Sequence, residues 1–256
     1  MSNKHNQLMQ TGIWILLLAL CASFVQRTIG FGFGIFIMTM LPLLLPSYAE
    51  ATTVSGLLAM LTALVVTIRM WRHINWKRLA VLLVAFYAVS SVCVWLLAGF
   101  QDSKIETVLG IVLILTSLYF IFLSGRIHIG KSLGWEIGAG SVSGVMGGFF
   151  AMQGPPAVLY LISSEPSKEQ YMGMISAYLL FGNIGMTIVR AMNGFLTPAV
   201  WEASLWGVFG VVIGASLGAW AFSKIPREMF KYFVYAYIGI SGIIILLRSR
   251  GIFVLF

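Results

Sequence analysis

The chain has 256 residues, of which 59% are hydrophobic and only 9% are charged, and its net charge is +8. A soluble domain of this size carries roughly 25% charged residues, so the composition excludes a soluble protein and predicts an all-α integral membrane protein. The positive charge lies mostly in short loops, where lysine and arginine set topology and contact lipid head groups. We therefore expect membrane lipids as partners and no nucleic acid.

Apolar segments follow one another along the chain in a regular order. Two of them, residues 12–45 and 134–162, are interrupted by glycine and polar residues, and three uninterrupted runs of spanning length follow each one. The uninterrupted runs cover residues 51–68, 79–100, 107–123, 171–189, 203–222 and 232–247. This order predicts a repeated unit that consists of one broken element and three transmembrane helices.

The two halves of the chain also match weakly at an offset of about 122 residues. The stretch "GFGFG" aligns with "MQGPP", which places Gly32 opposite Gly154, and "TIRMWRHINW" aligns with "TIVRAMNGFL", which places Arg69 opposite Arg190. We therefore divide the chain into repeat 1, residues 1–125, and repeat 2, residues 126–256, within one membrane domain.

The length of the broken element predicts a re-entrant hairpin. Residues 12–45 would form a helix of roughly 50 Å, which is too long for one crossing of a hydrocarbon layer of about 30 Å. Divided at its glycines, the segment gives two half-helices of about fourteen residues each, or roughly 21 Å. A hairpin plus three crossings makes an odd number of crossings, so the two repeats would be inverted.

Loop charges give a second argument for inversion. The loop "RMWRHINWKR" has four lysines and arginines and its repeat partner is nearly uncharged, whereas "QDSKIE" has one and its partner "SKIPREMFK" has three. Positive charge has thus moved to the opposite loop of the second repeat, as inversion requires. The totals on the two sides do not separate this arrangement from a plain eight-crossing one, and the lengths and the loop exchange favour inversion.

The stretch "FVQRTIGFGFGIFIMTMLP", residues 24–42, combines polar residues, glycines and a proline inside an apolar segment. In the hairpin arrangement, the tips of both broken elements meet near the midplane, and their second halves point free N–H groups and a positive dipole end at the centre. Such N-termini bind anions. The predicted substrate-binding residues are Gln26, Arg27, Thr28, Gly30, Gly32, Thr62, Gln153, Gly154, Pro155 and Asn183.

Each of these interpretations has a structural alternative. Arg27 lies about fifteen residues inside the apolar region, so it contacts the anion or, alternatively, caps a half-helix or extends to the interface. Thr62 and Asn183 fall at equivalent positions in the middle of their spans, which favours a role in lining the site. Glycines in membrane helices also permit close packing. Arg69 and Arg190 lie at span ends and are predicted to be anchors.

The interiors of the apolar segments contain none of the acidic or histidine side chains that catalysis, metal binding or proton transfer would need. The acidic residues lie in loops or at span ends, and the histidines lie outside the apolar runs. No catalytic triad, metal-ligand set or phosphate loop is present. We therefore predict that the protein is not an enzyme, that it needs no cofactor or metal, and that no buried carboxylate couples it to protons; a homodimer is left open.

The two interrupted motifs resemble those of the TauE/SafE family of sulfite and organosulfur anion exporters. "VQRTIGFGFG" with a following proline is similar to the first glycine motif of that family, and "GSVSGVMGGFFAMQGPPAVLY" is similar to its second. The resemblance spans both repeats and highlights Gln26, Gly30, Gly32, Gly154, Pro155 and Pro156; Arg27 departs from it, since a small residue is expected there. It implies a multi-pass protein of the bacterial inner membrane that exports small sulfur-containing anions.

The sequence therefore predicts a transporter that binds a small oxyanion between two re-entrant hairpins. Two other functions remain open at this point. A non-transporting scaffold for an enzyme complex would need the glycine breaks only for packing. An anion channel would use the same site without the saturable turnover of a carrier.

Overall fold

The computed structural model describes residues 2–122, 130–221 and 227–249, and their regular structure is entirely helical. A 3₁₀ turn, Trp71–His73, follows the fourth helix. The α-helices are α1 Ser2–Ile29, α2 Phe33–Ile37, α3 Leu41–Leu44, α4 Tyr48–Met70, α5 Trp76–Leu97, α6 Asp102–Phe122, α7 Leu133–Phe150, α8 Gly154–Ser164, α9 Lys168–Met192, α10 Pro198–Ala221 and α11 Arg227–Ser249.

The prediction of an all-α membrane protein is confirmed. Within the described residues, five helical segments are long and apolar enough to cross a membrane: Met9–Thr28, Tyr48–His73, Trp76–Leu97, Lys168–Met192 and Pro198–Trp220. Four of them coincide with predicted spans, and α6 and α11 cover the other two. Residues 123 and 222 of the predicted spans, and the loop 222–226 used in the charge argument, lie outside the described residues.

Four of the helices begin at a capping side chain. Ser47, Asn75, Ser132 and Ser167 precede α4, α5, α7 and α9, and each accepts a hydrogen bond from the backbone amide three residues later. Such caps satisfy one of the amides that a helix start leaves without a partner. These polar residues therefore set where the chain turns back into the apolar layer.

α1 packs along α10 with the two helices parallel. Gly210 lies against the backbone of α1 at Leu16, and Gly218, two turns later, lies against Arg27. A side chain at either glycine would overlap α1, so these glycines permit the close approach of the two helices. The first helix of the chain is thereby covered by a helix of its second half.

α5 packs along α7 in the same parallel manner. Gly140 lies against the backbone of α5 at Leu82, and Gly148 lies against Cys93. The packing interpretation therefore holds for these glycines of α7. Here the first helix of repeat 2 is covered by a helix of repeat 1, the converse of the contact between α1 and α10.

The remaining main contacts are antiparallel. Gly56 near the start of α4 faces Arg190 at the end of α9, and Met70 at the end of α4 faces Gly173 at the start of α9. α6 and α11 also run antiparallel, with Gly110 against the backbone of α11. Exchanging the two halves of the chain maps each of these helix pairs onto another pair with the same relative direction. That the halves are inverted repeats stays a prediction.

Both broken elements return to the side from which they start. Glu136 in the first turn of α7 and Glu165 just after α8 both bind the side chain of Arg78. At the other end of the molecule, Thr197, just before α10, donates to Glu50 in the first turn of α4 at 2.6 Å, and α10 starts beside α1. We call the side where α1, α4 and α10 begin the N-terminal side and the other the opposite side.

The predicted half-helix lengths are wrong, although the breaks fall at the predicted glycines. α1 has 28 residues, about 42 Å at 1.5 Å per residue, because the polar N-terminal residues continue the helix. Gly30 and Gly32 then end it with φ values of 96° and 103°, a conformation that glycine adopts readily. The returning half of the hairpin is itself divided into two short helices, α2 with five residues and α3 with four.

Ala151, which ends α7, adopts the left-handed conformation with φ 55° and ψ 29°. This conformation costs a residue with a Cβ atom roughly 1–2 kcal/mol. We expect Ala151→Gly to raise the free energy of unfolding in detergent by about 1 kcal/mol, measured by circular dichroism. The matched change Ala177→Gly, in the middle of α9, should lower it by about 1 kcal/mol or more. Equal losses in both variants would contradict the strain at Ala151.

Candidate functional site

The tips of the two broken elements touch each other. A Cβ atom on Gly34 would overlap the carbonyl oxygen of Ala151, so the backbone of α2 lies directly on the break between α7 and α8. Phe31 faces Gly154 from the other tip, at 4.0 Å from the position of a Cβ atom there. The two breaks therefore form one contiguous region, as the hairpin prediction requires.

A cavity of about 20 Å³ lies at this contact, and we call it the tip cavity. Its wall includes the backbone of residues 33–35 and the residues Gln26, Gly32, Gln153, Gly154, Pro155 and Asn183. Gln153 and Asn183 are 3% and 2% exposed. Each donates one amide N–H to the carbonyl oxygen of Leu179, at 3.4 and 2.7 Å, and keeps a second N–H.

A second cavity of about 30 Å³, the arginine cavity, lies beside the first. Its wall includes Gln26, Arg27, Gly30, Thr62, Met172 and Ser176. Gln26 belongs to both walls, and its buried side-chain amide forms no hydrogen bond with any described residue. Its amide is therefore free to bind a molecule in either cavity.

Arg27 lies nearer the opposite side of the membrane than the sequence suggested. It is in the last turn of α1, half-buried, and its stem packs on Gly218 near the end of α10. Within the described residues, it forms no hydrogen bond or ion pair, and Arg69, another cation, lies within electrostatic range of it. Arg27 is thus a cation in the cavity wall without a paired carboxylate, an arrangement that favours an anion over a cation.

With the exception of Thr28, every predicted site residue lines one of the two cavities. Thr28 is in the lining of neither cavity, and its hydroxyl group donates to the carbonyl oxygens of Phe24 and Val25 in its own helix. Thr62 lines the arginine cavity but also donates to its own helix, at Ala59. Whether the cavity-lining residues bind substrate stays a prediction.

A comparison with known protein families identifies the family of this chain. The family profile described as sulfite exporter TauE/SafE matches residues 15–245, nearly the whole chain and both broken elements. The chain belongs to the TauE/SafE family. No curated protein and no solved structure matches it. Membership implies a multi-pass membrane transporter of sulfur anions, in a family of transporters and not of enzymes.

The TauE/SafE chain offers fewer backbone donors at its second tip than the sequence analysis predicted. Pro155 and Pro156 have no N–H group, so only Gly154 and Ala157 carry free amides at the start of α8. At the first tip, residues 33–35 carry three, but α2 is too short for a large dipole. The donors at the tip cavity of this transporter are therefore a mixture of backbone amides and the side-chain amides of Gln26, Gln153 and Asn183.

The sequence analysis missed the environment of Arg190. An interfacial anchor was predicted because the residue lies at a span end, but its side chain is only 1% exposed and is among the largest fully buried side chains. Its Nη2 atom donates to the carbonyl oxygen of Gly147 at 2.9 Å, and its Nε atom has no partner. Weak residue-by-residue alignment with the exposed Arg69 concealed this difference.

The sequence analysis also missed a polar network on the opposite side of the transporter. Arg78 donates to Glu136 at 2.6 Å, to Glu165 at 2.5 Å, to Tyr160 at 2.7 Å and to Ser164 at 3.1 Å. The two carboxylates lie at helix ends, as the sequence analysis predicted. Their burial was not predicted, because a position in the sequence does not show which loops fold inward. The network fixes the two ends of the second hairpin to α5.

We expect Arg78→Gln to destabilise the protein by about 3 kcal/mol or more, because it leaves two carboxylates buried without a counterion. Thermal unfolding in detergent would measure this loss. The double variant Arg78→Gln with Glu165→Gln should be more stable than Arg78→Gln alone, since one of the unpaired charges is removed. If Glu165→Gln adds a second loss of equal size, the ion pair does not stabilise the hairpin.

Proposed function

We propose that this protein exports small sulfur-containing oxyanions, with sulfite and short organosulfonates as its substrates, across the bacterial inner membrane. The anion enters at Arg27, passes Gln26 and reaches the tip cavity, where Gln153 and Asn183 donate hydrogen bonds. The observation that carries the proposal is the uncompensated charge of Arg27 in a cavity that adjoins the contact between the two tips.

The size of the cavities supports a small substrate. A single water molecule needs roughly 10–15 Å³ on the same scale, so the volumes of about 30 and 20 Å³ hold one or two waters each. A sugar or peptide does not fit. An oxyanion with four heavy atoms occupies the site with a modest widening, which movement of the hairpins supplies.

The distribution of loop charges supports the orientation. Among the described residues, the opposite side carries Arg69, Arg72, Lys77, Arg78, Lys131, Lys168, Arg227 and Lys231, whereas the N-terminal side carries Lys4, Lys104, Arg190 and Arg248. Lysine and arginine are enriched in cytoplasmic loops, so the opposite side faces the cytoplasm. Arg27 then receives the anion from the cytoplasm, which is the arrangement that an exporter needs.

Two inverted repeats, residues 1–125 and 126–256, supply the conformational change in this proposal. The site lies where the two repeats meet, and inverted repeats exchange conformations to open such a site to each side in turn. The pairing of α1 with α10 and of α5 with α7 supports the proposal, because each hairpin rests on a helix of the other repeat. In this proposal, each hairpin moves together with the helix of the other repeat on which it rests, and the substrate site lies between the two moving units.

The test is flux of radiolabelled sulfite through proteoliposomes that hold the purified protein in a verified orientation. We expect saturable flux that unlabelled sulfite and sulfoacetate compete for more strongly than acetate or chloride. Flux that rises linearly with sulfite concentration would favour an anion channel. No flux of any tested anion would overturn the proposal and favour the scaffold.

A further inference from the structure

A second group of buried donors without partners lies between α4 and α9, apart from the two cavities. Arg190 is 1% exposed, and of its five N–H donors one is used in a hydrogen bond, to the carbonyl oxygen of Gly147. The hydroxyl groups of Thr187 and Tyr48 are buried and have no hydrogen-bond partner. The Tyr48 side chain lies within electrostatic range of Arg190.

Gly56 of α4 lies directly against these groups. A Cβ atom there would lie 2.9 Å from Nη1 of Arg190, 3.5 Å from Oδ1 of Asn183 and 3.9 Å from Oγ1 of Thr187. Three polar groups of α9 therefore converge on one residue that has no side chain. Any side chain at this position would push the guanidinium group away.

The charge of Arg190 is not compensated by the protein. Among the described residues, no carboxylate forms an ion pair with it, and the carbonyl oxygen that it contacts is neutral and also accepts from the amide of Ala151. Glu106 and Asp102 lie within electrostatic range of Tyr48, but neither forms an ion pair with Arg190, and Asp102 accepts from the Tyr48 backbone amide at 3.1 Å. A buried charge without a counterion is costly, and an intramembrane one marks a functional site.

The position of Arg190 continues the path of the proposed site. Ser176 lines the arginine cavity and Asn183 the tip cavity, and Thr187 and Arg190 follow on the same face of α9 at spacings of four and three residues. Arg190 is therefore about 10 Å beyond Asn183 along the helix axis. It lies toward the N-terminal side, whereas Arg27 lies toward the opposite side.

We propose that Arg190, with the hydroxyl groups of Thr187 and Tyr48, is a second oxyanion-binding site that receives the anion from the tip cavity before release. The proposal rests on the proposed function. The protein then binds one oxyanion at Arg27 and a second at Arg190, with Gln26 and Asn183 between them. Arg69, the predicted repeat equivalent of Arg190, lies within electrostatic range of Arg27, so each end of the path has an arginine from the same position of its repeat.

The test is equilibrium dialysis of radiolabelled sulfite against the purified full-length protein. We expect two sites in the wild type, and Arg190→Lys and Thr187→Val each to weaken one of them by about tenfold, since each loses a hydrogen bond to a charged group. Thr187→Val removes a hydroxyl group that has no partner in the protein, so a purely structural role of this cluster predicts no change. The control Thr67→Val removes a buried hydroxyl group that bonds within its own helix and should leave both sites intact.

The outcomes separate the two proposals. If the wild type binds a single oxyanion, Arg27→Gln abolishes this binding and Thr187→Val leaves it unchanged, the second site is overturned and the proposed function stands. If the wild type binds no oxyanion, both are overturned. If Thr187→Val and Arg190→Lys weaken one site while Arg27→Gln weakens the other, the second site is established.

Discussion

Arg27→Gln is expected to lower kcat/KM for sulfite flux by between about tenfold and a hundredfold, because the anion loses a charge-assisted hydrogen bond worth about 1.5–3 kcal/mol. Arg27→Lys keeps the charge and should retain most of the flux. The measurement is concentration-dependent uptake of radiolabelled sulfite into proteoliposomes. The effect should be large because, within the described residues, no carboxylate neutralises Arg27.

The matched control is Arg72→Gln. Arg72 is an exposed cation in the 3₁₀ turn on the same side of the protein, so this variant removes the same charge without touching the cavity. We expect its flux to equal that of the wild type. If Arg27→Gln also transports with the wild-type KM, Arg27 extends to the interface as a structural residue and takes no part in binding.

Gly34→Ala is expected to abolish transport and to lower the thermal stability of the protein. The added Cβ atom would overlap the carbonyl oxygen of Ala151, and a backbone atom cannot move aside by changing rotamer. Overpacking typically costs about 1–3 kcal/mol, and here the tips must separate to relieve it. Sulfite flux and the unfolding temperature in detergent would be measured on the same preparation.

Gly138→Ala is the control for this change. Gly138 lies in α7 with nothing within 4 Å of a Cβ atom, and alanine is the better helix former by about 1 kcal/mol. We expect this variant to transport normally and to be at least as stable as the wild type. Wild-type flux in Gly34→Ala would show that contact between the two tips is not needed for transport.

Much of the architecture could be predicted because membrane helices are long and apolar, and their number and positions follow from hydropathy. The breaks could be located because Gly30 and Gly32 have conformations that other residues rarely adopt. The length of α1 could not be predicted from hydropathy, since its polar N-terminal residues are helical without being apolar. The length of the helix α1 therefore exceeds the length of its apolar segment, and only the apolar segment can be located from hydropathy.

The candidate site was predictable where a residue's own position in the sequence indicated its environment. Gln26 and Gln153 lie beside glycine motifs, and both line the tip cavity. The burial of Arg190 and Arg78 could not be recognised, because it depends on which helices distant in the sequence pack against them. Arg190 is buried by Gly56 and Gly147, neither of which is near it in sequence.

The pairing of α1 with α10 and of α5 with α7 has a consequence for biosynthesis. The ribosome completes α1 long before α10, so the nascent first half enters the bilayer with the packing faces of α1 and α5 still uncovered. Neither half can reach its final structure by itself, and contacts between segments so distant in sequence form slowly. The newly made chain must therefore persist in the membrane as a partly assembled intermediate, exposed to insertion chaperones and membrane proteases until the last helices arrive.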